Sequence, residues 1–154
     1  MLPQPCIEPM PHGDCWRACI ASIINRPVVS VPNFMTACQT EIADEGLDKT
    51  REWLAQFGFS IFETYCSANW TLDEVLKTFS APNPNVPVIV TGEPNGYPGG
   101  GHAVIAMNGK VVHDPGGMGL AGPYPCRKQG CDCGGSWWFL YTISLTADWK
   151  VRHD

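Results

Sequence analysis

The stretch Pro11-His12-Gly13-Asp14-Cys15-Trp16-Arg17-Ala18-Cys19-Ile20 sets the reading of the whole chain. Its first half is a loop of breakers. From Cys15 onward, Ala18, Cys19, Ile20, Ala21, Ile23 and Ile24 follow with no internal glycine or proline until Asn25-Arg26-Pro27, a pattern that predicts a buried helix over 15–25. That helix would begin at a thiol. The first turn of a helix carries the positive end of the macrodipole and several unpaired backbone N–H groups, and both favour thiolate over thiol. A nucleophile needs this placement.

Partners for such a thiol lie far downstream. Gly101-His102-Ala103-Val104-Ile105-Ala106 opens an apolar strand with a histidine, and Val111-Val112-His113-Asp114-Pro115 closes the next strand with an acid. Cys15, His102 and Asp114 thus stand at element boundaries in an order suited to a Cys-His-Asp hydrolase. In that chemistry the thiolate attacks a carbonyl carbon, backbone N–H groups at the helix start stabilise the oxyanion, and the histidine protonates the leaving group. Water then releases the acyl-enzyme, or an amine intercepts it. Tyr97-Pro98-Gly99-Gly100-Gly101, just before His102, reads either as a cleft wall that admits a substrate backbone or as a surface turn. His113 reads as a satisfied or exposed histidine. Trp137-Trp138-Phe139 reads as a core anchor, with one tryptophan turned away from the core to shield the catalytic histidine.

The 154 residues predict one domain, 1–154, with a Gly/Pro/Cys-rich loop over 115–135. Charged residues make up 16%, below the usual quarter or so, while 16 glycines and 14 prolines imply long shaped loops around a core. A net charge of -5 and scattered Lys and Arg argue against nucleic acid as a partner. The N-terminus lacks the basic-then-apolar pattern of a secretory signal, and no apolar run is long enough to span a bilayer. The expectation is therefore a cytoplasmic protein without a membrane partner.

Eight cysteines without a secretory signal read mostly as free thiols. Cys19, Cys38 and Cys66 fit core packing. Cys126, Cys131 and Cys133 share a loop of glycines and prolines that a disulfide or a zinc ion would order, with Cys6 or His113 as a candidate fourth ligand; plain thiols are the third option.

Elsewhere, Asn33 is a candidate N-cap for a short helix over 34–42, and Leu47, Trp53, Leu54 and Phe57 recur at helical spacing over 49–57 before Gly58 stops the run. Thr71 and Glu74 form a capping signature for a helix over 72–79. Strands are expected at 59–65, 86–91, 102–107, 110–114 and 136–143. Helices first and an antiparallel sheet second make an α+β fold.

In Gly13-Asp14-Cys15-Trp16-Arg17-Ala18-Cys19, Gly101-His102-Ala103-Val104-Ile105 and Val112-His113-Asp114-Pro115 the chain resembles the papain-like cysteine peptidase superfamily, in the compact bacterial and phage form of the bacteriocin-leader-processing peptidases. The resemblance implies a helical part carrying the nucleophile helix, an antiparallel sheet and a cleft between them. It implies Cys15 as nucleophile, His102 as base and Asp114 as the group orienting the imidazole, with a protein or peptide substrate, no cofactor, and the host cytoplasm as location for a phage-encoded protein. The family's oxyanion glutamine usually lies about six residues before the cysteine, where this chain has Pro9. Gln4 is the only upstream glutamine, and a backbone N–H or His12 is the other candidate for the second donor. The same residues also suit an acyltransferase of this fold, and the thiol-rich loop suits a catalytically silent, zinc-stabilised protein-binding module.

Strand parity constrains the triad. A two-residue Asn108-Gly109 turn in a regular ladder would pair His102 with Pro115 and turn Asp114 away. A three-residue turn with Gly109 as a bulge would set Asp114 directly opposite His102, so this parity is the expected one.

Overall fold

The computed structural model describes residues 1–8, 13–35, 40–125 and 135–146. The elements are α1 (Cys15–Ile23), a 3-10 turn (Val28–Ser30), α2 (Thr40–Ala55), β1 (Phe59–Ser67), α3 (Leu72–Ser80), β2 (Val88–Pro94), β3 (His102–Met107), β4 (Lys110–His113), β5 (Leu120–Gly122), β6 (Tyr124–Pro125) and β7 (Ser136–Leu145). The strands pair antiparallel in the order β1-β7-β2-β3-β4, with β5 beside β2 and β6 beside β7. This is an α+β fold. The expected order of helices before sheet is too simple, because β1 precedes α3 and is held by the last strand, β7.

Local chemistry explains most boundaries. α1 ends where Asn25 takes φ 55° and the Arg26 N–H reaches back to the Ala21 carbonyl, the Schellman closure that an Asn at this position permits. α3 starts at a complete capping box between Thr71 and Glu74. The expected short helix over 34–42 fails in its first part: Phe34 and Met35 are not helical, and Asn33 donates its side-chain N–H to Glu8 (3.1 Å) instead of capping. A single helix then runs from Thr40 through Gly46 to Ala55. A mid-helix glycine costs about 1 kcal/mol relative to alanine. Here the missing side chain is needed, since a Cβ on Gly46 would lie 2.7 Å from the Phe34 carbonyl oxygen.

The sheet is covered on both faces. Ile61, Ile89, Ala103 and Ile105 join the buried residues of α1 and α2 in one cluster, while Val88, Val90, Val104, Ala106, Trp138 and Leu140 join Val75 and Leu76 of α3 in the other. Trp16 ties the first cluster together. Its Nε1 donates to Thr50 of α2 (3.2 Å), and its ring meets Tyr141 of β7 edge to face at 4.8 Å. Part of the expected loop at 115–135 is strand, namely β5 and β6. Cys126, Cys131 and Cys133, together with His12 and Cys38, lie outside the described residues. No helix among the described residues is long and apolar enough to cross a membrane.

Candidate active site

His102 opens β3, and Asp114 follows the end of β4. α1 packs on β3, and the Cys19 thiol donates to the Ala103 carbonyl (3.5 Å). Residues 2–8 run along α1 from its end back to its start. The Leu2 and Gln4 N–H groups bond Ser22, while the Cys6 N–H donates to the Pro115 carbonyl (3.1 Å) and the Ile7 N–H to the Asp14 carboxylate (3.0 Å). Beside them, His113 Nε2 bonds the Gln4 carbonyl oxygen (2.8 Å), which makes it a satisfied histidine. The start of α1 is thus tied to the segment after β4 through residues 6–7, and α1 to β3 through Cys19 and Ala103.

The His102–Asp114 pair is direct. His102 is 1% exposed, and its Nε2 lies 2.7 Å from Asp114 Oδ1. With Asp114 ionised, Nε2 must carry the proton, so the neutral ring keeps its lone pair on Nδ1. That atom is buried and has no hydrogen-bond partner among the described residues. The sheet reaches this pairing by a route other than the expected one. Asn108 and Gly109, at φ 53° and 77°, form a two-residue turn of the primed kind, and Met107 pairs with Lys110. A bulge then shifts the register between Ala106–Val111 and Ile105–His113. The extra residue restores the parity that the tight turn had lost. Extending the shifted register sets Asp114 diagonal to His102 rather than opposite it, and His113 shares the other face with Ile105.

Asp114 is wrapped by its own loop. Oδ1 accepts from the Gly116 and Gly117 N–H groups at 3.1 and 2.8 Å, and Oδ2 from the Gly119 N–H at 2.7 Å. Burial pushes the carboxyl upward, but the bonds from Gly119, His102 and Gly117 outweigh it and hold the group below the ordinary aspartate value. Gly117 and Gly119 sit at φ 67° and 68°, where a side chain is strained. Gly116-Gly117-Met118-Gly119 opens the loop expected over 115–135, and its glycine spacing was the available sign of a carboxylate cradle. Gly116 has a second role. A Cβ there would lie 3.0 Å from His102 Cε1 and 3.8 Å from Cys6 Sγ, so the Nδ1–Cε1 edge of the ring faces the N-terminal segment across a glycine. Gly116→Ala is expected to displace the imidazole and slow acylation of Cys15 about tenfold with little loss of fold, checked by rate and thermal melt together.

The flanking residues depart from expectation in two places. Trp138, which is 3% exposed, is the tryptophan nearer the histidine row: His102 pairs with Gly92, whose Cβ would meet the Trp138 ring at 2.9 Å. It lies in the core, not away from it. Trp137 instead meets Tyr65 edge to face. Gln4 uses its side-chain oxygen to accept from the Val28 N–H (3.4 Å), beyond the far end of α1. At 1.5 Å per residue, Ser22 is already roughly 10 Å along the helix from Cys15. The structure therefore does not bring Gln4 to the thiol.

The first turn of α1 is better placed to bind an oxyanion. Its hydrogen-bond ladder begins with the Ala18 N–H to the Asp14 carbonyl (2.9 Å), which leaves the leading N–H groups outside the ladder, and the Asp14 side chain makes no capping bond to them. The neighbouring thiols are unsuited to attack. Burial, then the charges of Cys15, Asp14 and Asp114, pushes Cys6 up to about 12, and burial followed by Cys15, Cys6 and Asp114 raises the wholly buried Cys19 well above its ordinary value. Among the described residues, Cys6, Cys15, Cys19 and Cys66 are not joined in disulfides. Comparison with known proteins finds no matching family model, no similar curated protein and no similar solved structure.

Proposed function

We propose that the protein is a cysteine hydrolase, a peptidase or amidase of papain-like arrangement, working through a thioester acyl-enzyme. The single observation that carries the reading is the buried His102 imidazole, tied by Nε2 to Asp114 while Nδ1 has no partner among the described residues, on the strand that α1, which begins with Cys15, packs against. Nδ1 is the base for the Cys15 thiol. The thiolate adds to the substrate carbonyl, and N–H groups of the first turn of α1 hold the oxyanion. The imidazolium, kept in orientation and stabilised by Asp114, then gives its proton to the departing amine. Water attacks the thioester with His102 again as base, releasing the acid and restoring the thiol. A protein or peptide is the proposed substrate class, and no step draws on a cofactor.

The test needs no knowledge of the substrate. Iodoacetamide at pH 6, followed by intact mass and peptide mapping, is expected to add one carbamidomethyl group on Cys15 and none on Cys6 or Cys19, whose thiols stay protonated far above that pH. Labelling of Cys66 ahead of Cys15 would reject the assignment.

A further inference from the structure

We propose that Asp14 is a positioning residue, whose carboxylate sets the nucleophile helix against the His102–Asp114 pair through the N-terminal segment; this rests on Cys15 being the nucleophile. Aspartate just before a helix is expected to cap it, yet this side chain makes no capping bond. It is 1% exposed, and its Oδ1 accepts instead from the Ile7 and Glu8 N–H groups at 3.0 and 3.2 Å. Oδ2 lies 3.0 Å from Arg17 Nη2, as an ion pair without hydrogen-bond alignment, and Glu8 approaches Arg17 at 3.6 Å. One residue before Ile7, the Cys6 N–H is bonded to the carbonyl of Pro115, the residue after Asp114.

Residues 6–8 therefore bridge the two halves of the site. One end is held beside the orienting acid and the other beside the nucleophile. Cys6 also stands next to the Nδ1–Cε1 edge of His102, across Gly116. A break at Asp14 frees this bridge from α1 and lets the thiol and the imidazole drift apart. Misplacement of about 1 Å is enough to cost large factors in rate. The uncapped first turn has the same origin: because the carboxylate is spent on the bridge, it does not occupy the N–H groups that the oxyanion requires.

The sign of the effect separates positioning from charge. A carboxylate beside a thiol disfavours the thiolate, so if Asp14 acted by charge alone, its removal would speed alkylation of Cys15 and move the profile to lower pH. Positioning predicts the reverse. The experiment is the pH profile of Cys15 alkylation by iodoacetamide in the parent, Asp14→Ala, Asp14→Asn and Ile7→Pro, each confirmed folded by circular dichroism. Asp14→Ala removes both acceptors and is expected to slow labelling at pH 6 about tenfold and to shift the midpoint upward. Asn keeps Oδ1 and should recover most of that loss. Ile7→Pro removes one donor from the other side of the bond at a half-exposed residue, and should slow labelling without touching Asp14; it also serves if Asp14→Ala does not fold. Alkylation as fast as or faster than the parent in Asp14→Ala or Ile7→Pro, or an Asn variant as slow as Ala, overturns the proposal. A parent that shows no preference for Cys15 instead overturns the hydrolase reading on which it rests.

Discussion

Cys15→Ala is expected to lose all acyl transfer: with p-nitrophenyl acetate as a generic acyl donor, the parent should show a burst of p-nitrophenol and, on acid quench during the burst, a transient mass adduct of one acetyl group, and the variant neither. The loss in rate should be roughly 10⁴-fold or more, because removing the atom that forms the covalent bond leaves only binding and the oxyanion donors. Cys15→Ser should be nearly as inactive, since the hydroxyl is far less acidic than the thiol that His102 deprotonates in the proposed mechanism. Fold should survive both changes. Cys15 is 8% exposed at the very start of α1, and truncation to alanine removes one sulfur atom, a stability cost of about 1 kcal/mol. A burst of parent size in Cys15→Ala would move the nucleophile elsewhere.

Asp114→Asn is expected to lower the acylation rate roughly 10²- to 10⁴-fold while the chain stays folded. Both carboxylate oxygens face donors: His102 and two backbone N–H groups at Oδ1, and the Gly119 N–H at Oδ2. An amide has one acceptor end, so its NH₂ must face either Gly119 or the imidazole. The first choice loosens the cradle, and the second forces the proton onto Nδ1 and takes the base away from Cys15. Either way the negative charge that stabilises the imidazolium is gone. Wild-type kinetics would remove Asp114 from the mechanism.

The same residue has a stability signature with a definite sign. Its folded value is depressed, so its contribution to stability is complete above the ordinary aspartate value of about 3.9 and is lost as the pH falls through the lower folded value. The difference in melting temperature between the parent and Asp114→Asn should be constant from pH 7 to about 5 and shrink below about pH 4. A difference that widens on acidification would contradict the depressed value.

The local signals in the chain carried far. A run without breakers ending at Asn25-Arg26-Pro27 is enough to define α1, because an asparagine reaches the left-handed conformation and a proline forbids continuation. Thr71 and Glu74 define the start of α3 for equally local reasons. The strands expected at 59–65, 86–91, 102–107, 110–114 and 136–143 lie within a few residues of the observed ends of β1, β2, β3, β4 and β7. Cys15, His102 and Asp114 stood out because each was expected at an element boundary, and α1 does begin at Cys15, β3 at His102, with Asp114 one residue past β4. What the residues alone could not decide is whatever depends on segments distant in sequence. Gly46 falls between the helices expected over 34–42 and 49–57, yet α2 runs through it, with the Phe34 carbonyl oxygen where a side chain would begin. Asn33 and Asp14 look like caps, yet their side chains go to Glu8, Ile7 and Arg17, partners brought by the N-terminal segment. Gln4 is upstream of the thiol in the chain and at the opposite end of α1 in space. The His102–Asp114 bond depends on a bulge at residues 111–113 that no turn preference encodes. Helix ends and alternation follow from interactions within a few residues and so belong to the sequence. Register across strands and the destination of a buried carboxylate are chosen by competition among distant partners, and only the folded chain brings those partners together.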